Sequence, residues 1–108
     1  MDERDLQRMA HIQTHCRDIL YCAMLCGENF DGFSADLSVL ERVRVALYHI
    51  GELAETFDSP TVPKYWKTVC TWSSLRSQDV QTINARTMWK WIKNEILWLL
   101  TFCDEVIQ

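Results

Sequence analysis

The most constraining feature of this chain is one apolar stripe in its second quarter: Leu37, Leu40, Val43, Leu47, Ile50, Ala54 and Phe57. Their separations of 3, 3, 4, 3, 4 and 3 residues keep every member on one side of an α-helix and on alternating sides of a strand. A seam of this kind has to be covered by other helices, so the chain is expected to form a helical bundle. Ser34 is placed to cap the start of this helix. Asp58-Ser59-Pro60 is placed to end it, because proline disfavours helix in the residue before it. The small Ala54 would let a neighbouring helix come close.

The flanking segments have the same period. Leu6, Met9, Cys16, Ile19, Leu20, Ala23 and Met24 mark a first helix over about Asp2 to Cys26, stopped by Gly27 and the Asn29-Phe30-Asp31-Gly32 stretch. A shorter third helix follows Pro63, with Trp66, Val69, Cys70 and Ser73 on one face up to about Leu75. After the polar run from Arg76 to Thr82, Asn84 is a good cap for a last helix over about Ala85 to Val106. That helix has two stripes: Met88, Ile92, Leu99, Phe102 and Val106, and Trp89, Ile96, Leu100, Cys103 and Ile107. Two stripes imply burial on two sides and therefore a homodimer. The expected fold is all-α: one domain over 1–108, an antiparallel up-and-down four-helix bundle with three long helices and one short.

Composition supports this reading and excludes others. Three Gly and two Pro in 108 residues are too few for a turn-rich β-sandwich or a low-complexity linker. The longest apolar run, about Ile96 to Cys103, falls well short of the roughly 20 residues a membrane span needs. The charged N-terminus, Met1-Asp2-Glu3-Arg4-Asp5, does not have the pattern of a signal peptide. Five irregularly spaced cysteines (Cys16, Cys22, Cys26, Cys70 and Cys103) then read as reduced thiols in a cytoplasmic protein, mostly acting as small core side chains.

Charge is segregated along the chain. Residues 1–59 carry five basic and eleven acidic side chains, while residues 60–94 carry six basic ones (Lys64, Lys67, Arg76, Arg86, Lys90 and Lys93) against Asp79 alone. The net charge of −4 argues against generic DNA binding. The basic segment is either a solvated face paired with the acidic half or a site for the phosphates of RNA or nucleotide. Free N–H groups at the start of the last helix would add to the second.

Five short matches, in order along nearly the whole chain, carry a family resemblance. They are Gly27 followed by Phe33 and Asp36, Ile50-Gly51-Glu52, Trp66-Lys67-Thr68-Val69, Leu75-Arg76, and Ile83-Asn84 through Trp89. In this the chain resembles the HepT-like branch of the HEPN superfamily, small helical-bundle proteins encoded beside a minimal nucleotidyltransferase (MNT) in toxin–antitoxin pairs. The resemblance implies a homodimer, an MNT partner and a metal-independent ribonuclease with no cofactor. The family's motif is Arg, four to six residues, then His. Arginine would hold the scissile phosphate, and histidine would move protons between the ribose hydroxyl and the leaving oxygen.

The chain departs from the motif at its centre. The positions that could hold the histidine after Arg76 are Gln81, Thr82 and Ile83, and no histidine follows His49. The stretch from Arg76 to Trp89 also looks about three residues short of the family's spacing. Glutamine can hydrogen-bond but does not transfer protons at neutral pH. Arg76 is thus the residual catalytic-motif residue. Ser77, Gln81, Asn84, Arg86 and Lys90 are candidates to hold phosphate or RNA. Glu52 is a supporting residue that either reaches Arg76 across the bundle or is solvated. The alternative function is a non-catalytic subunit that binds nucleotide or substrate for the transferase.

The other candidates have plainer readings. His11 and His15 are four apart and share a helix face, but lack the glutamate of a metalloprotease helix and read as a polar face. His49 reads as a half-buried, hydrogen-bonded histidine. Five tryptophans in the second half of the chain read mostly as core, with one or two at an interface.

Overall fold

A computed structural model describes residues 2–57, 62–79 and 82–108. Every regular element among them is helical. In order they are α1 (Glu3–Leu25), α2 (Phe30–Ala35), α3 (Leu37–Glu55), α4 (Trp66–Thr71), a 3₁₀ helix (Trp72–Ser77), α5 (Ala85–Lys93) and α6 (Glu95–Ile107). No helix among the described residues is long and apolar enough to cross a membrane.

Local chemistry explains the boundaries. Asp2 starts α1, its carboxylate accepting from the Asp5 N–H at 2.8 Å. The chain leaves α1 through two left-handed residues, Gly27 at φ +76° and Glu28 at φ +58°, and the Glu28 N–H returns to the Ala23 carbonyl at 3.0 Å. The Asn29–Gly32 stretch then does more than stop a helix. Asn29 caps the short α2, accepting from Gly32 N at 2.7 Å. Ser34 is not the cap of α3: its hydroxyl donates to the Asp31 carbonyl. Asp36 takes that role by accepting from Val39 N at 3.1 Å. Both stops have the short polar side chain an N-cap needs, and α2 shifts the start of the long helix two residues downstream. The predicted stop at Asp58-Ser59-Pro60 lies outside the described residues.

The predicted last helix is two. Asn94 (φ −117°, ψ −81°) separates α5 from α6, although hydrogen bonds from Asn94 N to Lys90 O and from Trp98 N to Asn94 O keep the segments in contact. Asparagine tolerates such a departure because its side chain competes for backbone partners.

The core follows the predicted seam with corrections at its ends. Leu40, Val43, Leu47, Ile50 and Ala54 of α3 share one buried core with Met9, Ile12, Cys16 and Ile19 of α1 and Ile92, Ile96 and Leu99 of the last pair. Leu37, Leu6 and Met24 are exposed instead. Trp72 is fully buried although it lies off the predicted stripe, because a 3₁₀ turn rotates it inward. Helices α1 and α3 run antiparallel, since Arg8 reaches the Thr56 carbonyl while Arg42 reaches Asp18. The Trp66 indole N–H donates to the Ala54 carbonyl at 3.1 Å in the interior, tying α4 to the end of α3. Cys16, Cys22 and Cys103 are buried free thiols. Burial pushes the Cys103 thiol up to about 12 and that of Cys16 well above its ordinary value, as expected of core side chains rather than reactive ones.

Candidate functional site

The site begins at a glycine. Gly51 lies in the middle of α3, where the 3₁₀ helix crosses it so closely that a Cβ would stand 2.8 Å from the Trp72 carbonyl carbon and nearer still to the Ser73 nitrogen. Only a residue without a side chain allows that approach. The crossing is fixed by the buried side chains of Trp72 and Leu75. The Arg44 guanidinium also donates to the Leu75 carbonyl at 2.9 Å.

With the crossing fixed, the residues next to Gly51 and Leu75 meet. Arg76 Nη1 donates to Glu52 Oε2 at 3.2 Å. The arginine side chain is 71% exposed and the glutamate 41%, so this ion pair is open to solvent. Of the two readings for Glu52, the contact across the bundle is the one observed.

Glu52 also faces a histidine. His49 Nδ1 stands 3.8 Å from Glu52 Oε1. The His49 ring lies nearly parallel to that of His15 from α1, with centroids 5.4 Å apart and planes 14° apart. His11, His15, His49 and Glu52 line one groove of about 300 Å³. A second of about 500 Å³ continues past His15 and His49 toward Asp18, Glu41 and Arg42. All three histidines of the chain thus gather on the α1–α3 seam, one carboxylate away from Arg76. Burial, and then the neighbouring His49, lower the pKa of His15, while Asp18 opposes them. No three of the described His, Cys, Asp and Glu side chains are arranged to hold a metal ion.

The remaining candidates fall elsewhere. Asn84 caps α5, its carbonyl oxygen accepting from the N–H groups of Arg86 and Thr87 at 2.9 and 3.2 Å. Two of the N–H groups expected to face a phosphate are therefore already satisfied within the chain. Asn84 also lines a pocket of about 220 Å³ with Thr71, Ser74, Gln78, Thr82 and Trp91. The Ser77 hydroxyl donates to the Ser74 carbonyl. Arg86 packs its guanidinium 4.1 Å over the Phe30 ring. Lys93 pairs with Glu28 at 3.1 Å and sits over Trp89. Lys90 is exposed. Gln81 lies outside the described residues. Members of the basic segment thus find different partners: Arg76 pairs with Glu52 of α3, whereas Arg86 packs on Phe30 of α2 and Lys93 pairs with Glu28 just before it. Trp66 and Trp72 are core, and Trp98 is 51% exposed.

Sequence reasoning missed the histidine groove. The signals were present, His11 with His15 at four residues and His49 with Glu52 at three. Only the register between α1 and α3 brings the two pairs together. No family model, no curated protein and no solved structure matches the chain.

Proposed function

We propose that this protein is a cytoplasmic, HepT-like HEPN-domain subunit of a toxin–antitoxin pair, working with a minimal nucleotidyltransferase. In this reading it keeps an anion site at Arg76 but not the family's acid–base histidine. The observation that carries it is the Arg76–Glu52 contact across the Gly51 crossing. Two of the five motif matches, Ile50-Gly51-Glu52 and Leu75-Arg76, far apart in sequence, meet at one place with a physical reason for Gly51, Glu52 and Arg76. An exposed ion pair of this kind is worth only about 0–1 kcal/mol, so an incoming phosphate can take the guanidinium from Glu52.

In this reading the antiparallel pairing of α1 with α3 belongs to an up-and-down four-helix bundle, with α4 and the 3₁₀ helix as its short third member. The subunit is a homodimer. Support comes from the exposed Leu97 and Trp98 of α6 and the exposed Tyr21, Met24 and Leu25 at the end of α1, apolar side chains that a second copy would cover.

The test is fluorescence anisotropy of a labelled single-stranded RNA at fixed pH over a salt series. Arg76→Ala should weaken binding and lower the log–log salt slope by roughly 0.7. Arg8→Ala, on the acidic first helix, should leave both unchanged. Equal effects of the two substitutions would refute the assignment.

A further inference from the structure

Resting on the Arg76 anion site just proposed, we propose that the His15–His49 stack is a proton-operated latch on that site. Protonation of the stack draws Glu52 away from Arg76 and releases the guanidinium for a phosphate- or sulfate-like anion.

The geometry carries this. Glu52 stands between two partners, with Oε2 on Arg76 at 3.2 Å and Oε1 3.8 Å from His49 Nδ1. When His49 is neutral, Arg76 is the one described residue that offers Glu52 a full positive charge at this spot. When His49 gains a proton, Nδ1–H becomes a charged donor one helical turn away, and Glu52 has a competitor for its pairing. His15 spreads the change over a wider pH range. Its ring is stacked on His49, so two imidazolium ions would repel each other across the α1–α3 seam, and His49 can relieve that repulsion by moving toward Glu52. Burial already opposes a charge on His15.

The surrounding charges leave this arrangement free to act. From α1, Asp18 faces His15 but is held by Nε and Nη2 of Arg42. From α3, Glu41 is held by Arg44. His11 adds a third imidazole to the groove, and Arg76 is the charge that the 3₁₀ helix contributes. Of the carboxylates lining the two grooves, Glu52 is the one that pairs with Arg76, and it stands within 4 Å of a histidine nitrogen.

The test uses the whole chain and sulfate, whose charge does not change between pH 8 and pH 5.5. The Arg76 Nε–Hε resonance and the His49 ring resonance are followed by NMR at constant ionic strength. In the wild type the arginine signal should titrate along the same curve as His49. Sulfate should bind at Arg76 about two- to fivefold more tightly at the lower pH, the range an exposed ion pair can supply. Glu52→Gln should bind in the tight mode at both pH values, and His49→Gln in the weak mode at both. The same pH ratio in His49→Gln as in the wild type would refute the latch and leave the Arg76 site standing. Undiminished sulfate binding in Arg76→Ala would instead refute the site, and the latch with it.

Discussion

Replacing Gly51 with alanine isolates the step on which the site depends. Two effects oppose each other. Alanine in a helix interior gains about 1 kcal/mol over glycine, from backbone entropy. Against this, the new Cβ would stand 2.8 Å from the Trp72 carbonyl carbon and 3.0 Å from the Ser73 Cα, where carbon atoms prefer about 3.5–4.0 Å. The obstructing atoms are backbone, so no rotamer change removes the clash, and the 3₁₀ helix must move outward by about 1 Å or more to restore contact distance to the nearest of them. That motion loosens the fully buried Trp72 and the nearly buried Leu75 and strains the Arg44 bond to the Leu75 carbonyl. Overpacking of this kind typically costs about 1–3 kcal/mol, and a rigid backbone contact belongs at the upper end. The net expectation is a loss of about 2 kcal/mol, or roughly 8 °C in Tm for a domain of this size. Thermal denaturation followed by circular dichroism reads this directly. An unchanged or raised Tm would show that helix propensity outweighs the crossing, and that α3 and the 3₁₀ helix are not held as described.

Other expectations follow from the same contacts. Trp66→Phe deletes the buried bond to the Ala54 carbonyl, which still accepts from the Phe57 N–H, and should cost about 0.5–1.5 kcal/mol in chemical denaturation; a loss below measurement error would contradict a structural role for that bond. Because the folded state lowers the His15 pKa below its ordinary 6.5, the native protein binds fewer protons than the unfolded chain there. Stability should therefore be complete above that pH and decline as pH falls through and below it. His15→Gln should flatten the decline, and an unaltered slope would remove His15 as its cause. Light scattering at micromolar concentration should give twice the 12.7 kDa chain mass and a smaller particle for Trp98→Glu; a 12.7 kDa particle for the wild type would rule out the homodimer.

The long seams were legible because they depend on period alone. The buried run from Leu40 to Ala54 and the first helix from its aspartate cap to Gly27 follow from the spacing of three and four. What was not legible depends on geometry between segments. Ser34 and Asp36 are both good caps, and only the presence of α2 decides between them. The break at Asn94 interrupts no apolar pattern, so the sequence carries no mark of it. At the site, Glu52 and Arg76 could be named as possible partners, but their meeting depends on the close approach at Gly51. The histidine groove needed the α1–α3 register, which a sequence of similar apolar turns does not specify. The charge segregation between halves is plain along the chain, but the partners of its members were not legible: Arg86 and Lys93 turn toward Phe30, Trp89 and Glu28.

The measurement that bears most directly on the account is cleavage of total RNA by the purified protein between pH 5 and pH 8, beside Arg76→Ala. A positioned acid–base group typically contributes about 10²- to 10⁴-fold to such a reaction, and no histidine follows Arg76 in the chain. The expected result is no robust cleavage by either protein at any pH in this range, together with RNA binding that the substitution weakens. Robust cleavage by the wild type that disappears in Arg76→Ala would contradict it and make the chain an active ribonuclease.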